Sequence, residues 1–533
     1  MPECIRHTEL PHTTRLFADL AYHFERVSGF YHHAPFVMES YRAAAERIQM
    51  ESGHRAALVE ALAAENRNAG AAAQNQLDRL AQSGTLVVAS GQQVGLYTGP
   101  VFTIYKALSA ARLARELSDQ GLPAVPVFWL ATEDHDLEEI NHVWVFDAAN
   151  RPVRLEAQAR AAVHEPVGGV RVAESDAQAL REALGGLPFG DEISKLATEA
   201  YAEGATFASG FKSLLKRLLE PYGVLLLDPL SPAIRSLAIP LVRRAIQEAP
   251  ELTASLLQRG RELESCGYHV QVHFEEKTSL FFLLEQGRRT PLRRTGDTYA
   301  SNGTSYTTAE LLAGIDRSPE CFSPNALLRP VVQDFLLPTV AYIGGPAELA
   351  YLAQSEVIYR RLLGRMPVAQ PRACFTLLDG RAAKLMQRYG LRLSDVLQGA
   401  AAVELRIAET LIPGPLHRAF AEGQTGIGSA LDAVQAQLAG FDPTLVAALE
   451  KSRSKMQYQF SKIQAKAGRE SLRRAERARE EAAYLLHLIY PEKTLQERLY
   501  SVLPFLARHG LGLLDQLHES VRFDCPDHQV LVV

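Results

Sequence analysis

The fold turns on one run, TLVVASGQQVGLYTGPVFTIYKALSAARLARELSDQGLPAVPVFWLA, residues 85–131. TLVVAS (85–90) and AVPVFWLA (124–131) are short β-branched or aromatic stretches, and a helical pattern of about 20 residues separates them. Strand, helix, strand at this spacing predicts a βαβ unit in a parallel sheet. The loop between strand and helix holds Gly91, Gln92, Gln93, Gly95, Gly99 and Pro100. In an open α/β sheet, ligands bind in the crevice beyond the strands' carboxyl ends, which makes Gln92 and Gln93 candidate contacts. Thr98 and Gly99 precede the helix, whose unpaired N–H groups favour an anion, and Lys106 adds a full charge. The loop is neither a Walker loop nor a G-x-G-x-x-G fingerprint.

Outward from this unit, residues 1–84 read as helical, as in RAALVEALAAE (55–65). HVWVF (142–146), GVLLLDP (223–229), HVQVHF (269–274) and SLFFLLE (279–285) extend the α/β character. Residues 151–215 and 230–330 read as inserts, so residues 1–380 form one Rossmann-like core. Strands then disappear, and 381–490 is helical, with breaks expected at PGP (413–415), GQTGIG (423–428) and FDP (441–443). Asp442 followed by Pro443 is a helix start. From there Leu445, Leu449, Ser452, Met456, Phe460, Ile463 and Ala467 form a heptad-like seam. One helix of about 45 residues would reach about 65 Å, as one arm of an antiparallel helical hairpin or coiled coil expected to serve as an oligomerisation element. Residues 491–533 are expected to pack back on the core.

Composition narrows the function class. The 533 residues are 47% hydrophobic and carry a formal net charge of −5, which argues against a surface built for nucleic acid. The ten Lys/Arg against three Glu in 451–480 are expected as the solvated face of a coiled coil. No basic n-region followed by an apolar stretch opens the chain, and no long uncharged apolar window suggests a membrane span, so the cytoplasm is expected. Five scattered cysteines, Cys4, Cys266, Cys321, Cys374 and Cys525, form neither a disulfide framework nor a zinc-ligand set, and most are expected to be inert core thiols.

Two further segments carry chemistry. ATEDHDLEEINH (131–142) follows the strand AVPVFWLA and places Glu133, Asp134, His135 and Asp136 at its end. Four ionisable groups beside an apolar strand suit acid/base work or capture of an ammonium group, although Asp134 or Asp136 could simply cap the helix from Leu137. His135 and His142 make no recognised metal-ligand set. In SPNALLRPVVQDFLLPTVAYIGGPAELAYLAQ (323–354), Asn325, Arg329, Gln333 and Asp334 lie among apolar residues, where unpaired polar groups are costly. Arg329 could clamp a carboxylate or form a buried pair with Asp334. Tyr342, Gly344 and Glu348 flank a second Gly-Pro-then-helix junction. A histidine and carboxylates near an anion-friendly helix end point to group transfer or ligation.

SGQQVGLYTGPVFTIYK, PVFWLATEDHDLEEINHV, the 323–354 segment and KTLQERLY (493–500) resemble the cysteine-adding enzymes of bacillithiol biosynthesis, the BshC family. The resemblance runs in order from about residue 20 to the C-terminus. It implies a core similar to that of class I aminoacyl-tRNA synthetases, with two connecting inserts and a dimerising helical coiled coil. It also implies amide formation between cysteine's carboxyl and the amine of glucosaminyl-malate. Gln92 and Gln93 sit where the synthetases carry a His-x-Gly-His motif; the chain lacks that motif and a Lys-Met-Ser-Lys-Ser equivalent. On this reading ATP activates cysteine with Thr98–Pro100 and Lys106 at its phosphates. Asp134 or Asp136 holds the cysteine ammonium, His135 moves the acceptor's proton or stabilises the reacting phosphate, and Arg329 binds a malate carboxylate. The rival readings are an RNA- or nucleotide-binding synthetase relative and a non-catalytic coiled-coil scaffold.

Overall fold

A computed structural model describes residues 3–533 other than 160, 162, 163, 175, 176, 286 and 302. The chain divides into two units, one of residues 1–148, 152–376 and 497–530, the other of 149–151, 377–496 and 531–533.

The first unit is built on the βαβ element. Strand β1 (Leu86–Gln92) is buried along its length up to Gln92. Helix α1 (Phe102–Asp119) returns the chain to β2 (Ala124–Leu130), which is wholly buried. Apolar runs buried on both faces are the mark of a parallel sheet covered by helices. HVWVF is a strand, His142–Phe146, but it pairs antiparallel with Pro152–Glu156. The short link from β2 holds only one helical turn, too little chain for a crossover back to the parallel sheet. Within GVLLLDP, β3 (Leu225–Leu227) joins the sheet beside β2.

The second insert contributes helix α2 (Pro232–Gln247) and a separate antiparallel sheet. Its strands are β4 (Thr278–Glu285), β5 (Arg288–Thr295), β6 (Thr298–Ser301), β7 (Thr304–Thr307) and β8 (Phe322–Pro324), in the order β7-β6-β5-β4-β8. SLFFLLE thus belongs to this sheet and not to the parallel core, while HVQVHF forms no strand. The short helix α3 (Arg329–Leu336) leads to β9 (Thr339–Gly344), helix α4 (Pro346–Leu362) and β10 (Val368–Pro371).

The parallel sheet runs β10-β9-β1-β2-β3. The chain leaves β1 toward β2 and leaves β9 toward β10. This reversal makes β1 and β9 the topological switch point, where connections diverge and a crevice opens. Gly91 keeps that centre tight, since a Cβ there would sit 2.6 Å from the Trp129 carbonyl oxygen. Strand Glu3–Ile5 pairs antiparallel with residues 528–530.

The second unit is dominated by helices α5 (Gly414–Phe441) and α6 (Thr444–Arg474). Helix α5 runs without interruption through GQTGIG, so the break expected there does not occur. Asp442 does start a helix, as its Oδ1 accepts the Thr444 backbone N–H at 2.9 Å. The helix is 31 residues long, shorter than the seam implied, and stops before Ala475. Phe460 packs edge-on against Phe420 at 5.6 Å, whereas Leu445, Met456 and Ile463 are exposed. Of the five cysteines only Cys374 is buried, which corrects the expectation that most are core residues. Among the described residues no helix is long and apolar enough to cross a membrane.

Candidate active site

A cavity of about 660 Å³ opens at the carboxyl ends of β1, β2 and β9 and is closed on one side by the antiparallel insert sheet. From β1 it is lined by Gly91, Gln92 and Gln93, from β2 by Glu133 and Asp134, and from β9 by Tyr342 and the turn into α4.

Lys106 forms the floor. Its side chain is 2% exposed, and Nζ donates to the Gly91 carbonyl at 3.0 Å and to Gln92 Oε1 at 2.6 Å while pairing with Glu348. Burial pulls the ammonium below its ordinary value, with Glu348 opposing. Burial also pushes the Glu348 carboxyl up, but Lys106, the Gly345 N–H and the Tyr342 hydroxyl outweigh it and hold the group below its ordinary value. Glu348 accepts from Gly345 N at 2.9 Å and from Tyr342 at 2.8 Å. Lys106 and Glu348 therefore tie together the helices that follow the two central strands.

On the adjoining wall, Arg329 Nη2 donates to the Tyr351 hydroxyl at 2.9 Å and Nη1 to Gln333 Oε1 at 3.3 Å. The guanidinium lies 5.9 Å from the Trp129 ring and 6.0 Å from that of Tyr351. Among the described residues no carboxylate pairs with it. The alternative of a buried Arg329–Asp334 pair does not hold, because Asp334 is fully buried against Tyr359 and accepts from Gln333 at 3.1 Å. Among the described residues the other three guanidinium N–H groups make no hydrogen bond.

The third wall holds Asp134, whose oxygens accept from Gln93 Nε2 at 2.6 Å and from the His135 backbone N–H at 2.7 Å. Gln93 Nε2 also reaches Glu139 at 2.8 Å, so one amide joins two cavity carboxylates. Glu133 is buried and bonded to Arg235 at 2.5 Å. Burial pushes its carboxyl up, with Arg235 and Arg289 opposing.

The other residues singled out from sequence are placed differently. His135 does not line the cavity; its Nδ1 lies 3.4 Å from Arg289 Nη1 and its ring 5.3 Å from that of His164. Burial and the Arg289 charge lower its pKa. Asp136 is exposed and is the helix cap, accepting from Glu139 N at 3.2 Å. Thr98 and Gly99 lie behind the wall, with Thr98 fully buried. Nor is the start of α1 open to phosphate. Val101 N donates to the Tyr500 carbonyl at 2.7 Å and Thr103 N to that of Pro100 at 2.9 Å. With Lys106 already paired, these residues do not fit the phosphate groups of a nucleotide. Asn325 reaches the cavity, but its Oδ1 serves the Leu327 and Leu328 N–H groups at 3.0 Å each. Gln333 is buried between Arg329 and Asp334, and Gly344 is packed against Leu349.

Sequence reasoning missed Tyr351, Trp129, Arg289 and Arg372. Tyr351 stands three residues after Glu348 on α4, so helical spacing could have found it. Arg372 had no local signal, because it is gripped bidentately by Glu497, 125 residues away, at 2.7 and 2.9 Å. Cys374, Glu497 and His528 lie close enough together to ligate a metal. The Arg372 guanidinium occupies that set, bonded to Glu497 and 3.1 Å from Cys374 Sγ. A fixed cation among the donors does not fit a metal ion.

Residues 3–373 match the family described as "Bacillithiol biosynthesis BshC, N-terminal Rossmann-like domain", and residues 375–533 its "C-terminal coiled-coil domain". Proteins named "Putative cysteine ligase BshC" match along nearly the whole chain. The one from Solibacter usitatus is 51% identical over 99% of each chain, and that from Koribacter versatilis is 39% identical over 100% of each. The one from Salinibacter ruber is 32% identical over 97% of this chain and 96% of its own.

Proposed function

The chain belongs to the bacillithiol biosynthesis BshC family, and on that premise we propose that it is a ligase joining the carboxyl of L-cysteine to the amine of glucosaminyl-malate. The observation that carries this reading is Arg329, a guanidinium on the cavity wall that no carboxylate pairs with among the described residues. Such a group is matched in charge and geometry by a substrate carboxylate, here that of the malate moiety. Asp134 and Glu139, joined by the Gln93 amide, seat the cysteine ammonium and accept the proton that the acceptor's amine must lose before attack. Lys106, whose three N–H groups serve Gly91, Gln92 and Glu348, holds Gln92 in place at the cavity wall.

Carboxylate and ammonium do not condense at a useful rate, so the carboxyl must first be activated. We take ATP as the activating cosubstrate, with its phosphates away from the helix start at Thr98–Pro100. The exposed Leu445, Met456 and Ile463 of the second unit suit a second copy of the chain. Five cysteines with no disulfide among the described residues suit the reducing cytoplasm.

The test compares acceptors. Glucosamine, which lacks malate, should be used about 100-fold less well than glucosaminyl-malate by the wild type, a preference that Arg329→Gln should remove. Equal use of both by the wild type would contradict the reading.

A further inference from the structure

HVQVHF (269–274) alternates like a strand but pairs with no strand among the described residues. One side chain holds it instead. The Gln354 amide of α4 accepts from the Val272 N–H at 2.8 Å and donates to the Val272 carbonyl at 2.9 Å. It supplies the paired donor and acceptor that a neighbouring peptide would give in an antiparallel ladder. Gln354 is 3% exposed, so this bidentate grip is shielded from water. Val270, Val272 and Phe274 pack against the core, and the strap they form runs on into β4. Along this strap Val272, His273, Glu275 and Lys277 line the cavity.

Two connections fix the strap relative to Arg329. On α4, Gln354 follows Tyr351 by three residues, so one helix face holds both the strap and the Arg329 guanidinium. At the start of β4, Asn325 donates from Nδ2 to the Ser279 carbonyl at 3.3 Å and from its backbone N–H to that of Leu280 at 2.8 Å. The Asn325 carbonyl in turn accepts the Arg329 N–H at 2.9 Å. Malate carries two carboxylates, and Arg329 meets only one. Of the other cavity cations, Lys106, Arg289 and Arg372 are already bonded within the protein. The side chains of Lys277 and Arg293, which also line the cavity, make no hydrogen bond or ion pair among the described residues. They adjoin, since Arg293 lies opposite Thr278 and the Arg294 N–H donates to the Lys277 carbonyl at 2.9 Å. We propose that Lys277, beside Arg293, seats the acceptor's second carboxylate, and that Gln354 is the positioning residue that holds the strap there. The inference rests on reading Arg329 as the seat of the first. A fixed strap suits a ligand whose two charges have a set spacing, because less freedom is lost on binding.

The test measures binding by titration calorimetry, with glucosaminyl-malate and with glucosaminyl-lactate, which has one carboxylate instead of two. The wild type should bind the malate compound about 10-fold more tightly. In Gln354→Met and in Lys277→Gln this gap should close to about 2-fold, with the Kd for the lactate compound within about 2-fold of wild type. The double variant should lose no more than the larger single loss, because both changes remove one interaction. Lys277 is exposed, so Lys277→Gln decides should Gln354→Met fail to fold. An intact 10-fold gap in either folded variant, or equal binding of the two compounds by the wild type, would overturn the strap assignment and leave Arg329 standing. No binding of either compound by the wild type would overturn the Arg329 reading and the strap with it.

Discussion

Lys106 of α1 and Glu348 of α4 form an ion pair beneath the switch point, with side chains 2% and 19% exposed. Each helix follows a Gly-Pro turn at the end of a central strand, so the pair locks together the two segments that form the crevice. Removing one partner leaves a buried charge uncompensated. Glu348→Ala should cost about 3–5 kcal/mol, whereas the double replacement Lys106→Met, Glu348→Leu should recover most of that loss without restoring activity. Urea unfolding measures both. A single variant within about 1 kcal/mol of wild type would show that the pair is not structural.

Asp134 and His135 are neighbours in sequence with different surroundings. Asp134 lines the cavity, while His135 turns to Arg289 and His164. Asp134→Asn should raise the KM for cysteine about 10- to 100-fold, and His135→Ala should keep kcat within about 3-fold. Steady-state rates decide. Loss of turnover in His135→Ala would bring that imidazole back into the chemistry.

These neighbours show what could be read from the sequence. The β1-α1-β2 unit was legible because buried parallel strands leave continuous apolar runs, and the loop after β1 and the TEDHD run do reach one crevice. The register of four adjacent residues was not legible. Glu133 and Asp134 face inward, while Asp136 meets solvent as a helix cap. Nor could the sequence show that Val101 N–H is already taken by Tyr500, or that Arg372 meets Glu497. Such long-range partners leave no local period. Nor could the run HVWVF say which sheet it joins, since a short apolar strand looks the same in either.

His7 is 4% exposed, and burial together with nearby His528 lowers its pKa from 6.5 to about 4. The folded chain thus keeps this imidazole neutral where the unfolded chain protonates it. Its contribution to stability is complete above pH 6.5 and is lost as pH falls toward 4. The slope is at most about 1.4 kcal/mol per pH unit. His7→Gln should lessen the acid slope by about one proton, read from unfolding free energies at several pH values. An unchanged slope would contradict the shift.

In the second unit, Met456 and Ile463 are 48% and 57% exposed on α6. Light scattering of the purified chain should give a dimer, and Met456→Glu with Ile463→Glu should shift it to monomer with the helix content retained. A wild-type monomer at micromolar concentration would contradict the assignment of this face to a second copy.

The central claim is that this chain forms the amide between cysteine and glucosaminyl-malate. It is tested most directly by incubating the purified protein with both substrates and ATP and detecting the thiol product by mass. The expected result is an adduct equal to the two substrates less one water, formed only with ATP and lost in Arg329→Gln. No adduct with folded wild-type protein would contradict the ligase reading, and adduct formation at an unchanged rate in Arg329→Gln would contradict the site.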